Sequence, residues 1–212
     1  MKTDFANLKR YASENEKLNS TNTNENRIVL FGDSITEFWT ARNSEIFQNP
    51  TIINRGISGQ TTSQMVVRFQ QDVVELHPNL VVILAGINDI AENTGPITVA
   101  AIFENIITMV NSAIANKIDA VLCSVLPCNT ITWKTTIAPS DKIVHLNQMM
   151  ASYADTTKIT YVDYYHSMVD NKKGLEKKFS DDGLHPNSEG YKIMERLLIE
   201  KIEATTPFRI TF

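Results

Sequence analysis

Five short apolar runs, each rich in β-branched residues and each separated from the next by a stretch of helical periodicity, constrain this chain more than any other feature. The runs are "RIVLFGD" (27–33), "TIINRG" (51–56), "LVVILAGIND" (80–89), "DAVLCSVLP" (119–127) and "ITYVDYY" (159–165). They are apolar on both faces, the pattern of strands in a parallel sheet that is covered above and below. Between them, residues 61–76, 97–117 and 140–154 carry apolar side chains at helical spacing, and residues 188–204 close the chain as another helix. The alternation predicts a three-layer α/β/α, doubly wound structure with a five-stranded parallel sheet, flavodoxin-like in layout, whose ligands collect at the C-terminal ends of the strands.

With 212 residues, 42% of them hydrophobic and 21% charged, the chain is long enough for one sizeable core. We expect a single domain over residues 1–212, with an N-terminal helix (about residues 5–18) and the polar loop "NSTNTNEN" in residues 1–26, and a catalytic core in residues 27–206. The formal charge of -4, from 20 Lys+Arg against 24 Asp+Glu, gives no basic field for a phosphate backbone, so nucleic acid is not an expected partner. Acids interleave with the lysines of "NKKGLEKKF", which reads as a solvated face.

No apolar run reaches the roughly 18 residues that cross a bilayer, and the first residues lack the apolar centre of an export signal. The expectation is a soluble, cytoplasmic protein, with export left open should a leader precede Met1. Cys123 and Cys128 are too few for a disulfide framework and lack companions for a zinc site; they read as free thiols, Cys123 in the core and Cys128 at a loop. Oligomeric state is not legible.

Polar motifs stand at the ends of the predicted strands. Gly32-Asp33-Ser34 follows the first, "NRGISGQTT" the second and Gly86-Ile87-Asn88-Asp89 the third, while "DDGLHPNSEGY" places Asp182 and His185 before the last helix. Each has a plain alternative: Ser34 as a helix cap, Gly56 and Gly59 as turn residues, Asn88-Asp89 as loop chemistry and His185 as a surface histidine. Their joint arrival on one sheet edge, with complementary chemistry, favours an acyl-transfer site.

A serine hydroxyl needs a base to take its proton, and imidazole serves near neutral pH. His185 is the candidate base for Ser34. Asp182, three residues before it, can hold the other ring nitrogen, and Asp181 ranks below it because its side chain should point away. The backbone N–H groups of Ser34 and Gly59 and the side-chain amide of Asn88 can serve the oxyanion.

"GDSIT", "NRGISG", "GIND" and "DGLHPN" resemble the four signature blocks of the SGNH (GDSL) hydrolases, in the family's order and across residues 29–191. The resemblance implies Ser34 as nucleophile, Asp182 and His185 as its triad partners, and Ser34, Gly59 and Asn88 as the oxyanion hole. In that family the serine follows the first strand on a loose turn, so a G-x-S-x-G elbow is not expected. The surrounding wording is similar to single-domain acylhydrolases like the platelet-activating-factor acetylhydrolase catalytic subunit, which implies small acyl groups, acetyl foremost, on a small-molecule ester. No cofactor or metal is expected.

Two other functions compete: a thioesterase or lysophospholipase using the same triad, and a non-catalytic binding module of flavodoxin-like layout. The second is disfavoured by the absence of a glycine-rich phosphate cradle after the first strand. In the long segment "LPCNTITWKTTIAPSDK", Trp133 can wall the site or pack the loop, whereas Trp39 should pack inward. His77, His145 and His166 show no partner pattern suggesting a metal site or a second base and read as structural.

Overall fold

A computed structural model of the chain describes residues 4–20, 26–42 and 44–210. Its strands are β1 (Ile28–Gly32), β2 (Ile52–Gly56), β3 (Leu80–Leu84), β4 (Asp119–Cys123) and β5 (Thr160–Val162). Its helices are α1 (Ala12–Ser20), α2 (Ser34–Trp39), α3 (Thr62–Asp72), α4 (Ile87–Ile90), α5 (Val99–Ala115), α6 (Ser140–Thr157), α7 (Tyr164–Met168) and α8 (Ser188–Thr205). All neighbouring strands pair in parallel, in the order β2-β1-β3-β4-β5.

The predicted α/β/α architecture is therefore the one observed. Every residue of β1 and β3 is buried, as continuous apolar runs require when helices cover both faces. α5 turns Ile102, Ile106, Met109, Val110 and Ala113 inward, and α8 does the same with Tyr191, Met194, Leu198 and Ile202. The chain runs one way along the sheet from β1 to β2 and the other way from β2 through β3 and β4 to β5, and crossovers between parallel strands are as a rule right-handed. That reversal puts α3, α5 and α6 on one face and α2 on the other, where Tyr191 of α8 donates its hydroxyl hydrogen to the Ile35 carbonyl at 2.7 Å.

The register decides what happens at the rim. Gly32 at the end of β1 is level with Gly56 of β2 and Leu84 of β3, so the segments that follow these three strands start at one height. β1 lies between β2 and β3, and the crevice where such a sheet reverses its order opens at its end.

Several boundaries differ from expectation. The opening helix begins at Ala12 and not near residue 5, because Asn7 takes a left-handed conformation, with φ of 56°, that helices do not accommodate. Glutamine side chains instead hold this segment: Gln60, Gln64 and Gln71 each donate a 2.7 Å bond, to the carbonyls of Ala6, Phe5 and Leu8 respectively. Of the polar loop, residues 21–25 lie outside the described residues. The third apolar run stops being a strand at Leu84, since Gly86 with φ of 123° turns the chain into α4. The fifth stops at Val162, where the Asp163 side chain accepts from the His166 amide and starts α7.

Trp39 is core, at 3% exposure, and both cysteines are buried free thiols. Cys128 lies in the irregular segment after β4, at a loop as expected, with its side chain buried. Trp133 is 54% exposed. No helix among the described residues is long and apolar enough to cross a membrane.

Candidate functional site

α2 begins one residue after β1 ends, and its cap is Asp33. The Asp33 side chain accepts from the Ile35 amide at 3.0 Å, so Ser34 is the first helical residue and not the cap that a serine here suggests. At this position the Ser34 N–H belongs to the first helical turn, where backbone donors have no acceptor within the helix. The side chain points to the last polar motif: Ser34 Oγ lies 3.0 Å from His185 Nε2.

The His185 turn is built locally. Asp182 Oδ1 accepts the amides of Leu184 (2.9 Å) and His185 (2.7 Å), and Oδ2 lies 2.7 Å from His185 Nδ1. Ser180 Oγ accepts from the Gly183 amide at 3.0 Å and reaches both Asp182 Oδ1 and the His185 carbonyl. Phe38 of α2 lies beside the imidazole, with 5.3 Å between ring centroids. Partial burial would raise the Asp182 carboxyl. The bonds from the His185 ring and from the two amides outweigh it and hold the group down at about 2. The ring bonds Asp182 and not Asp181, the order of preference drawn from the sequence.

Gly59 sits in the turn between β2 and α3 at φ of +76°, a conformation that disfavours side chains. The loop before it is tied to α2 because Glu37 accepts both the amide and the hydroxyl of Ser58. At the start of α3, Thr62 donates its amide (2.8 Å) and hydroxyl (2.6 Å) to Asp89, which fastens the Gly59 segment to α4. Asn88 stands on α4, 4% exposed. Its Nδ2 donates to Asp33 Oδ2 at 3.1 Å, and its Oδ1 accepts from Asn93 Nδ2 at 2.8 Å. An amide nitrogen carries two hydrogens, so the bond to Asp33 leaves one to offer.

Asp33 and Asp89 are both pushed up to about 6, burial being the main cause in each, partly opposed by the donors they accept. For Asp33 these are the Ile35 amide and the Asn88 side chain, with the charge of His185 lowering it further and that of Asp89 raising it; for Asp89 they are the two groups of Thr62.

The fold therefore brings Ser34, Asp182 and His185 into one hydrogen-bonded line, and Asn88 and Gly59 to the same rim. Trp133 is exposed in the segment after β4, next to Lys134, whose ammonium pairs with Glu92 at 3.2 Å on the loop following Asn88. Sequence reasoning missed Asp33 and Asn93. The cap preference of aspartate could have found the first. The second owes its place to a turn at Glu92, whose φ of 55° no local motif announced. His166, read as structural, has its Nδ1 2.6 Å from Asp163 Oδ2. The D-x-x-H spacing that selected Asp182 was there to be read. Among the described residues no group of three or more His, Cys, Asp or Glu side chains is placed to hold a metal ion.

Residues 30–193 match the model of the GDSL-like lipase/acylhydrolase family. Two solved structures resemble the chain along nearly its whole length. A Bacteroides fragilis protein provisionally named an acylhydrolase is 45% identical, with a TM-score of 0.92 over 96% of this chain and 99% of its own. A GDSL-like lipase from Bacteroides thetaiotaomicron is also 45% identical, with a TM-score of 0.90 over 94% and 98%. A Bacillus subtilis protein described as the uncharacterized lipoprotein YqeF is 30% identical over 117 residues, 47% of this chain. The chain spans about half, 48%, of that relative's length.

Proposed function

We propose, for a chain that belongs to the GDSL-like lipase/acylhydrolase family, that it is a serine esterase releasing small acyl groups, acetyl foremost, from alcohols through an acyl-enzyme. The observation that carries this reading is the continuous line from Ser34 Oγ through His185 to Asp182, with links of 3.0 and 2.7 Å.

In the first half-reaction Ser34 Oγ attacks the ester carbonyl carbon while its proton passes to His185 Nε2. Asp182 accepts the Nδ1 hydrogen, fixing the tautomer, and its negative charge stabilises the imidazolium. A carboxyl held at about 2 keeps that charge at every working pH. The carbonyl π electrons move to oxygen, and that oxyanion takes hydrogen bonds from the Ser34 and Gly59 N–H groups and from Asn88 Nδ2. Each such donor is typically worth about 2.7–4 kcal/mol of barrier. Collapse of the intermediate breaks the bond to the alcohol oxygen, which leaves with the proton from His185. Water then repeats the sequence on the acyl-serine: His185 takes its proton, Oγ is the leaving group, and the carboxylic acid is released.

The reading is tested with a fluorophosphonate probe followed by peptide mapping, beside a panel of p-nitrophenyl esters of increasing chain length and an acyl-CoA. We expect a covalent adduct on Ser34 and the highest kcat/KM on the acetyl ester. An adduct elsewhere, or none while an ester is hydrolysed, overturns the assignment of Ser34. A maximum on long-chain esters or on the thioester would move the substrate class to lysophospholipids or acyl thioesters.

A further inference from the structure

Asn93 lies outside the four sequence motifs and is exposed, yet among the described residues its side-chain hydrogen bonds end on the machinery proposed above. Its Nδ2 donates to Asn88 Oδ1 at 2.8 Å and to the Gly59 carbonyl at 3.2 Å, and its backbone amide donates to the Asn88 carbonyl at 3.0 Å. The turn that delivers it is anchored from outside. Glu92 adopts a left-handed φ of 55°, and its carboxylate pairs with Lys134 at 3.2 Å and Lys142 at 3.9 Å.

With these bonds two of the three oxyanion donors, Asn88 and Gly59, are joined, and the same set reaches Asp33 and Ile35, the neighbours of Ser34. The Ile35 amide binds the Asp33 carboxylate, Asp33 binds Asn88 Nδ2, Asn88 Oδ1 binds Asn93, and Asn93 binds the Gly59 carbonyl. We infer that Asn93 is a positioning residue, a clasp that orients the Asn88 amide and the Gly59 backbone so that their donors converge on the same oxygen.

The physical reason lies in the symmetry of an amide. The Asn88 side chain is nearly the same shape after a half-turn, which would exchange its nitrogen and oxygen and aim a lone pair at the developing negative charge. Asp33 accepts on one side and Asn93 donates on the other, so a turned amide would lose both bonds and face Asp33 with an oxygen. The segment around Gly59 is tied on either side, Ser58 to Glu37 and Thr62 to Asp89, and Asn93 adds a hold on the Gly59 carbonyl itself.

This inference rests on the esterase reading, and the test separates the two. Asn93→Ala and Asn93→Asp are compared with the parent and with Thr94→Ala, a change in the next residue of the same turn. Read-outs are kcat, KM, the rate of fluorophosphonate labelling and Tm. Losing one donor outright lowers kcat by about 10² to 10³, so loosening two should cost about tenfold in Asn93→Ala. Asn93→Asp should cost about a hundredfold, because its carboxylate repels both oxygens that Asn93 holds and so favours the turned Asn88 amide.

KM and Tm should stay near the parent's, since the residue is exposed, and labelling should slow in parallel with kcat because it builds charge on the same oxygen. Thr94→Ala should match the parent. A parent that hydrolyses ester and labels at Ser34, with both Asn93 variants within twofold of its kcat, overturns the inference alone. So does a loss that appears in KM or Tm and not in kcat, which marks a merely structural residue. A parent that neither hydrolyses ester nor labels at Ser34 takes down the esterase reading and this inference with it.

Discussion

Asp163-Tyr164-Tyr165-His166 and Asp182-Gly183-Leu184-His185 are nearly the same object built twice. In each the aspartate accepts the histidine amide, at 3.1 and 2.7 Å, and meets its Nδ1, at 2.6 and 2.7 Å. What surrounds them differs. The His166 side chain is 80% exposed, whereas that of His185 is 22% exposed, with Phe38 beside it and Ser34 Oγ on its far nitrogen. An oriented imidazole is therefore a local product of D-x-x-H spacing and costs the fold little. The groups that give such an imidazole something to do come from residues about 150 positions away, and the sheet register places them.

The largest effect should separate the two histidines. Removing the base or nucleophile of a serine triad can lower kcat by about 10⁶, so Ser34→Ala and His185→Ala should reduce ester turnover to near background while keeping Tm. His166→Ala should leave kcat within about twofold, since the ring faces solvent and bonds only its own aspartate among the described residues. Steady-state kinetics on an acetyl ester check both. Comparable losses in the two histidine variants would break the comparison.

The proposed oxyanion donors have no counterpart at the 163–166 turn among the described residues, and Asn88 tests them. Asn88→Ala should lower kcat by about 10² to 10³, and Asn88→Asp by at least the upper figure, because a carboxylate there repels the charge it should bind. If Asn88 acts only in the transition state, KM should change little. Near-normal kcat in a folded Asn88 variant would remove it from the site.

The contrast also shows which features can be read from a chain of this kind. The strands and the long helices were legible because burial on two faces or one imposes a period that survives in the sequence. The four motifs were legible because each is contiguous. Of the two readings of Ser34, the cap goes instead to Asp33, which leaves the serine hydroxyl free to face His185. The N-terminal helix was overextended because amphipathic spacing does not record that Asn7 turns left-handed or that three glutamines hold residues 5–8 from elsewhere. Asn93 was invisible for a similar reason, since its two acceptors lie 5 and 34 positions away and are joined to it only after a turn at Glu92.

The smallest effect expected is on stability, and its sign is fixed by the Asp182 carboxyl. Folding holds that group at about 2, below its ordinary value of 3.8. The unfolded chain therefore binds a proton more readily, and the group contributes stability that is fully present well above 3.8 and lost as pH falls through 2. Asp182→Asn removes that contribution, so its Tm should lie below the parent's at pH 7. The gap should narrow on acidification, to about half by pH 3, because by then the parent is losing the same term. The shift should be small, since the side chain is 52% exposed and solvent screens much of the interaction. Asp163→Asn serves as the comparison. Asparagine caps a helix nearly as well as aspartate, and the His166 ring that Asp163 meets is 80% exposed, so its Tm gap should be smaller. Scanning calorimetry of the parent and both variants at pH 7 and pH 3 reads all of this, and a gap for Asp182→Asn that widens toward pH 3 would show that the carboxylate is not held by the bonds described.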